Sequence, residues 1–292
     1  MATNDDEVPG WDQGVVGEPI GDSTMRSTLR ALRWGLRSRL AEHPRLYLSI
    51  ASRKFPDAVL REDTELLIEG FTRSAVTFAT IAFQLAQRRP VRVAHTLHSV
   101  GHVRTATRRG VPSLVTIREP EETVLSAVVR EPYLTLGGVL AAYTRFYTGI
   151  QPVRDRIVVG RFDSIVHDLG SVVRALNERF GTSFDEFVHT QENVGRCYEI
   201  IEDRARRVPW EKHLGRFQAG MITLDEYRAA ARSGREDGGG HGAVVPETRV
   251  QRPSTAREGM KDALRARLED PRLDGSRAAA FAAYERFVSG AV

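Results

Sequence analysis

The chain is poor in cysteine and has no long apolar run, and each shortage excludes a class of protein. Its 292 residues include one cysteine, Cys197, so an intrachain disulfide and a cysteine-based zinc cluster are excluded. No apolar run approaches the ~18 residues that a membrane-spanning helix needs. The acidic segment 2–22, with its glycines and prolines, is unlike a signal peptide. We therefore expect a protein of the reducing cytoplasm.

Lysine is also scarce, and arginine supplies almost all of the positive charge. Of the 42 basic residues only Lys54, Lys212 and Lys261 are lysines, and the formal net charge is +4. This excess is modest for a protein that coats nucleic acid, and it suits a small anionic ligand better. We expect an anion-binding site and no nucleic-acid partner, and the oligomeric state stays open.

Short apolar runs alternate with helix-forming segments, which predicts repeated βα units. Such units form an α/β fold, a mainly parallel sheet flanked by helices, in which ligands bind beyond the carboxyl ends of the strands. The predicted strands are residues 64–69, 91–95, 113–117 and 156–160, and the predicted helices are residues 79–86, 100–109, 121–130 and 134–150.

We place a single domain at residues 24–292, behind a disordered tail at residues 1–23. Residues 233–246 include three consecutive glycines and predict a flexible loop. Such a loop either closes over a bound ligand or has no role, and the sequence does not choose between these.

Residues 23–40 predict an arginine-rich amphipathic helix. Met25, Leu29, Leu32, Leu36 and Leu40 form one stripe, and five arginines are spread over the other positions. A helix of this kind can touch a membrane surface, as a peripheral contact of helix 24–40, or an acidic partner. The usual globular pattern favours the other interpretation, in which the helix packs on its own domain.

The most informative stretch is the loop between the first predicted strand and its helix, residues 70–78. The first N–H groups of a helix lack internal partners and its dipole is positive there, so this turn suits a phosphate or sulfate. Arg73 adds a charge, and Ser74 and Thr77 add hydroxyl donors. The loop has neither a Walker A motif nor a Gly-x-Gly-x-x-Gly fingerprint. A helix capped by Ser74 or Thr77 beside a solvated arginine is the plainer alternative.

Polar residues also follow the next two predicted strands. His95 and His98 lie at the end of the second strand, and Arg118 leaves the third strand with Ser126 eight positions later. Because the carboxyl ends of parallel strands share one edge of a sheet, these groups are expected to meet. The plainer alternatives are a core histidine at 95, a helix cap at 98, an arginine paired with a nearby glutamate, and a serine bonded to its own backbone.

Together these motifs resemble the sulfotransferases that depend on 3′-phosphoadenosine 5′-phosphosulfate (PAPS). Residues 72–77, Thr-Arg-Ser-Ala-Val-Thr, are similar to the family loop Pro-Arg/Lys-Ser-Gly-Thr-Thr, which holds the 5′-phosphosulfate. Residues 117–120, Ile-Arg-Glu-Pro, with Ser126 are similar to the Val-Arg-Asp-Pro motif and following serine that bind the 3′-phosphate. Smaller similarities extend the match to most of residues 64–290.

The resemblance implies a P-loop NTPase-like sulfotransferase architecture and transfer of a sulfonate from PAPS, without a metal, to a hydroxyl or amine of a small-molecule or glycan acceptor. It implies that Phe162 lies beside the adenine and that a late basic residue, Arg252 or Arg257, contacts the 3′-phosphate. The other donor-binding positions that it implies are Arg73, Ser74, Ala75, Val76, Thr77, Phe78, Arg118 and Ser126.

The loop departs from the family pattern at two positions. Ala75 stands where the family has glycine, so a positive φ there carries a steric cost. Val76 stands where the family has a threonine, which removes one hydroxyl but keeps the backbone N–H.

Sulfonate transfer needs a positive group for the leaving phosphate and a base for the acceptor hydroxyl. Arg73 is permanently charged and suits the first role. His98 is preferred as the base because it lies at the strand-to-helix turn where the family's catalytic histidine resides, with His95 second. A metal pair of His98 and His102 has no carboxylate or thiolate partner in the pattern and is not expected.

Two further hypotheses stay open. One is a nucleotide-dependent small-molecule kinase of related topology, which the missing Gly-Lys-Ser/Thr and the missing acidic magnesium pair argue against. The other is a nucleotide-binding or membrane-surface-binding relative that has lost activity, which Ala75, Val76 and the arginine-rich first helix favour. The sequence does not identify the acceptor.

Overall fold

The computed structural model describes residues 24–206, 211–236, 254–289 and 291–292. The predicted tail at residues 1–23, Arg252 and most of the predicted loop at 233–246 lie outside the described residues. The elements in chain order are α1 (Thr24–Leu40), α2 (Pro44–Lys54), β1 (Leu66–Gly70), α3 (Val76–Ala86), β2 (Val93–His95), α4 (Val100–Arg108), β3 (Ser113–Ile117), α5 (Pro120–Arg130), α6 (Leu136–Ile150), β4 (Val158–Arg161), α7 (Phe162–His167), α8 (Leu169–Phe180), α9 (Gln191–Arg206), α10 (Glu211–Gln218), α11 (Leu224–Glu236), α12 (Thr255–Leu268) and α13 (Asp274–Val288).

The four strands form one parallel sheet in the order β2-β1-β3-β4. Ile68 of β1 lies beside His95 of β2 on one side and beside Leu114 of β3 on the other. The predicted α/β fold with a parallel sheet is therefore confirmed. All four carboxyl ends lie at the same edge of the sheet, at Gly70, His95, Ile117 and Arg161.

Alternate residues of β1 face two hydrophobic cores, one on each side of the sheet. Leu67 lies in the core formed with α4, α5, α6 and α13, whereas Leu66 and Ile68 lie in the core formed with α3, α8 and α9. The chain thus leaves β1 towards β2 through a helix on one face, and leaves β3 towards β4 through helices on the other face. The crevice between β1 and β3 is a topological switch point, the place where open α/β sheets bind ligands.

Several predicted boundaries were wrong. Strands β1 and β2 and helix α6 each begin two residues later than predicted, and three further differences have a local cause. Helix α3 begins at Val76 rather than at residue 79, because a left-handed residue at position 75 ends the loop immediately before it. Residues 233–236 belong to α11 rather than to the predicted loop, since one glycine costs a helix only about 1 kcal/mol. Strand β4 begins at Val158, because a 3-10 helix occupies Gln151–Arg156.

Helix α1 packs on the domain mainly through a side other than its predicted apolar stripe, of which Leu40 packs against the small core around Tyr47. Its partly buried side carries Trp34, which packs against the core on the α6 face of the sheet, and Ser38, which accepts a hydrogen bond from Arg145 of α6 at 3.3 Å. The leucines at positions 29, 32 and 36 are exposed instead. Because Trp34 and Ser38 make these contacts with the domain, these three leucines point away from it.

None of the helices within the described ranges is both long and apolar enough to cross a membrane.

Candidate functional site

A cavity of about 240 Å³ lies at the carboxyl edge of the sheet, beyond the switch point. Its walls come from the β1–α3 loop, the β2–α4 loop, α5, α6 and the inner side of α1. Sequence-predicted residues that line it are Arg73, Ala75, Val76, Thr77, Phe78, His98, Arg118 and Phe162. The sheet therefore brings these residues, from four separate segments, to one cavity.

Two loops at this edge hold strained backbone. Within the described part of the chain, the non-glycine residues with positive φ are Arg73 (68°), Ala75 (70°), Thr96 (54°) and His98 (51°). This left-handed conformation costs an L-residue roughly 1–2 kcal/mol, and such strain is concentrated at functional sites in proteins. Ala75 thus adopts the conformation for which the resemblance implied a steric cost.

The β1–α3 loop packs tightly against β3 through a group of small residues. A Cβ atom at Gly70 would lie 2.2 Å from Thr116 Oγ1, so glycine is required there. The Ser74 hydroxyl donates to the carbonyl oxygen of Phe71 at 2.6 Å and lies 2.8 Å from Thr116 Oγ1. Ser74 is fully buried, so its hydroxyl holds the loop to β3 rather than facing the cavity as the sequence had suggested.

Helix α3 presents its N-terminus to the cavity. Its N-cap is Ala75, which offers no side-chain oxygen to the first N–H groups, whereas Ser99, Glu119 and Thr135 cap α4, α5 and α6. The first N–H groups of a helix lack internal acceptors and carry a partial positive charge. Their position beside Arg73 makes this end of the cavity favourable for an anion.

Ser126 lies at the centre of a cluster of arginines. Arg73 Nε donates to Ser126 Oγ at 3.0 Å, and Arg257 of α12 donates to the same oxygen at 3.4 Å. Desolvation lowers the pKa of Arg73 well below its ordinary value, and repulsion from Arg130, Arg257 and Arg118 lowers it further. Charges of one sign held this close are stabilised by a bound anion.

Arg118 lies over an aromatic ring at the other side of this cluster. Its guanidinium carbon is 4.1 Å from the centroid of Phe162, and its Nη2 donates to Glu122 at 3.1 Å. Glu122 is also bonded to Lys261 at 2.8 Å and to Arg265 at 3.1 Å, both from α12. The predicted pairing of Arg118 with a nearby glutamate is therefore present, and one carboxylate serves three cations.

Of the two histidines proposed as a base, only His98 lines the cavity. Its Nδ1 lies 2.7 Å from the carbonyl oxygen of Gly70, which can only accept, so Nδ1 carries the proton and the lone pair of the neutral ring is on Nε2. His95 is buried at the end of β2, with Nδ1 2.9 Å from Thr96 Oγ1. The geometry therefore favours His98 over His95.

A buried glutamate, which sequence reasoning missed, positions the His98 loop. Glu69 accepts hydrogen bonds from the N–H groups of Leu97 (2.8 Å) and His98 (3.0 Å) and from His102 Nδ1 (2.7 Å). Burial raises the pKa of Glu69, but the hydrogen bond from the His102 ring, the electrostatic attraction of the His102 and His98 rings and the hydrogen bond from the Leu97 N–H outweigh it, so the pKa lies below its ordinary value. The signal in the sequence is a carboxylate inside an apolar strand.

The same contacts explain His102. Its Nε2 accepts the N–H of Leu60 at 3.2 Å while its Nδ1 donates to Glu69. Both ring nitrogens are thus used inside the core, and His102 forms no pair with His98. In the segments that the structure describes, no group of three or more acidic, histidine or cysteine residues has the arrangement of a metal site.

Two tyrosines of α6 bond to the end of β3 from the face of the sheet opposite to α3, and no local pattern in the sequence indicated either role. Tyr143 donates to the carbonyl oxygen of Arg118 at 2.8 Å, and Tyr147 donates to that of Thr116 at 2.9 Å. Burial raises the pKa of both hydroxyls above the ordinary value. Their protons therefore stay in these hydrogen bonds and fix the β3–α5 turn.

Arg257 and Arg130 complete the cluster. Arg257 was one of two alternatives for a late basic residue, and it is buried with Ser126, whereas Arg252 lies outside the described residues. Arg130 was not singled out, although its position four residues after Ser126 places it on the same side of α5.

Comparisons of the chain with protein-family models, curated proteins and solved structures found no match.

Proposed function

We propose that the protein is a sulfotransferase that uses PAPS and has a P-loop NTPase-like architecture. The observation that carries the proposal is the convergence on Ser126. Arg73 from the β1–α3 loop and Arg257 from α12 both bond to this hydroxyl, and Arg118 lies on Phe162 beside them. A basic cluster next to an aromatic ring fits an adenine nucleotide with phosphates at both ends of its ribose.

The donor supplies an activated sulfonate on a phosphosulfate anhydride when it is bound. In our proposal Arg73 and the N–H groups at the start of α3 bind its 5′-phosphosulfate and stabilise the charge that develops on the leaving phosphate oxygen. Arg118, Ser126 and Arg257 bind the 3′-phosphate. Phe162, stacked under Arg118, lies beside the adenine.

His98 acts as the general base in this proposal. The carbonyl of Gly70 fixes the proton on Nδ1, so Nε2 accepts the proton of the acceptor hydroxyl as its oxygen bonds to sulfur and the bond from sulfur to the leaving phosphate oxygen breaks. Glu69 keeps the loop in place through the N–H of His98. The remaining wall of the cavity, with Trp34 and Phe146, then receives the acceptor.

A relative with weakened catalysis is a second candidate, and one observation favours it. Val76 supplies no hydroxyl at the start of α3, and the Ser74 hydroxyl is buried against Thr116 instead of facing the cavity. Such a protein would bind the nucleotide and transfer the sulfonate slowly or not at all.

The test is transfer of radiolabelled sulfonate from PAPS to acceptors in a cell lysate by the purified protein. His98→Ala should reduce the rate by about 10²–10⁴-fold, and Arg73→Ala by about 10²–10³-fold. The exposed His167 provides the control, because His167→Ala should transfer at the wild-type rate. Transfer that does not require His98 would refute the assigned base, and binding without any transfer would select the second candidate.

A further inference from the structure

We propose that α1 docks the protein on an anionic membrane surface through the stripe of Leu29, Leu32 and Leu36. These side chains are 51%, 66% and 58% exposed. They lie at helical spacing of three and four residues, so they form one continuous stripe along about two turns. This inference does not depend on the sulfotransferase proposal.

The orientation of α1 is what makes the stripe available. The helix is held to the domain by its other side, where Ser38 and the following Glu42 bond to Arg145 at 3.3 and 3.2 Å and Trp34 packs against the core. An amphipathic helix normally buries its apolar stripe and exposes its polar side. Here the side with Trp34 and Ser38 packs on the domain, which leaves Leu29, Leu32 and Leu36 for another surface.

The charge of α1 identifies the surface as anionic. The helix contains five arginines and no acidic residue. At about 100° per residue, Arg33 borders the stripe on one side and Arg39 on the other, and both are exposed. Leucines flanked by arginines match the boundary of a lipid leaflet, where apolar side chains enter the acyl region and guanidinium groups bind lipid phosphates. By itself the stripe is too narrow for the ~800 Å² that each partner buries in a stable dimer.

Helix α1 also borders the cavity, so docking on a membrane through α1 would bring the cavity close to the lipid. Trp34, Arg37 and Ser38 line the cavity from the inner side of α1. A protein docked through the outer side of α1 therefore has one wall of its cavity formed by the helix that contacts the lipid.

Cosedimentation with vesicles tests the proposal. The full chain is mixed with vesicles of phosphatidylcholine alone or of equal parts phosphatidylcholine and phosphatidylglycerol. We expect binding to the anionic vesicles and much weaker binding to the neutral ones. The variant Leu29→Ser/Leu32→Ser/Leu36→Ser should bind at least about tenfold more weakly, since three apolar groups no longer enter the lipid.

Two further variants separate the contribution of the arginines from that of the leucines and control for exposed apolar side chains elsewhere. Arg33→Gln/Arg39→Gln should weaken binding to anionic vesicles by roughly 30-fold, about fivefold for each charge, and leave the weak binding to neutral vesicles unchanged. Val188→Ser/Met260→Ser removes exposed apolar side chains elsewhere and should bind as the wild type does. Circular dichroism and thermal unfolding confirm that each variant is folded.

Absence of wild-type binding to anionic vesicles would overturn the proposal. So would leucine-variant binding equal to that of the wild type. A concentration-dependent dimer that the leucine variant abolishes, without any vesicle binding, would assign the stripe to a second copy of the chain instead.

Discussion

At the scale of single residues, the β1–α3 loop keeps its shape without the glycine that such a turn prefers. Ala75 has φ 70°. The loop keeps this conformation because the Ser74 hydroxyl is hydrogen-bonded to Thr116 of β3. The resemblance could indicate that residue 75 was the strained position. It could not show that the chain accepts the strain instead of changing the turn, because that depends on contacts with β3.

The left-handed conformation of Ala75 predicts that its replacement by glycine does not destabilise the protein. Ala75→Gly should leave the free energy of unfolding unchanged or raise it by up to about 1 kcal/mol, because relief of left-handed strain offsets the greater entropy of the unfolded chain. Ala82→Gly in α3 should instead lower it by at least about 1 kcal/mol. Urea unfolding measures both, and equal destabilisation by the two changes would contradict the left-handed turn.

Glu69 predicts a pH dependence. Its pKa is lower in the folded protein than the ordinary 4.5, so the folded state binds its proton less readily than the unfolded chain does. The carboxylate therefore stabilises the fold fully above about pH 4.5, and this contribution is lost as the pH falls through the folded pKa. Glu69→Gln should lower the free energy of unfolding at pH 7 by on the order of 2–4 kcal/mol. The N–H groups of Gly70, Leu97 and His98 and the His102 ring all lose a charged acceptor.

The difference between wild type and Glu69→Gln should then shrink as the pH falls below about 4.5. The exposed Glu62 provides the control, because Glu62→Gln should change stability by less than about 0.5 kcal/mol at any pH. A difference that is constant from pH 7 to pH 3 would show that Glu69 has no ionised role. Of the partners of Glu69, His98 and His102 lie about 30 residues away, which is why the sequence did not indicate them.

At the scale of secondary-structure elements, local patterns predicted the βα units well but did not predict how α1 and α12 pack on the domain. Strand β3 and helices α4 and α5 lie within one residue of their predicted bounds, because apolar runs and turn residues specify them locally. The direction of α1's leucine stripe and the approach of α12 to Ser126 depend on contacts with distant elements. Arg257 could thus be named as one alternative, but only the packed position of α12 shows that it reaches the site.

Helix α12 therefore supplies an element-scale prediction. Arg257→Ala should raise the Kd for 3′,5′-adenosine bisphosphate by roughly 10–100-fold, because the proposal assigns Arg257 a charge-assisted hydrogen bond to the 3′-phosphate. Arg267→Ala removes an exposed arginine from the same helix and should leave the Kd unchanged. Isothermal titration calorimetry on both folded variants makes the comparison, and equal affinities would exclude α12 from the donor site.

At the scale of the whole molecule, the order β2-β1-β3-β4 creates the site. Helices leave β1 and β3 on opposite faces of the sheet, so a crevice opens between these strands. The loops from both strands end there, which brings Arg73 to Ser126 across 53 residues of sequence. The predicted parallel sheet implied that the carboxyl ends of the strands meet at one edge. No local sequence pattern indicated the strand order that creates the crevice.

The most direct test of the central claim is thermal unfolding with 3′,5′-adenosine bisphosphate compared with ATP and Mg²⁺. At one hundred times its Kd the bisphosphate should add ~2.7 kcal/mol of stability, which raises Tm by roughly 4–5 °C for a chain of this length. ATP with Mg²⁺ should have little effect, since the proposal assigns the arginine cluster to a second phosphate on the ribose. A shift with ATP as large as that with the bisphosphate, or no shift with the bisphosphate, would contradict the account.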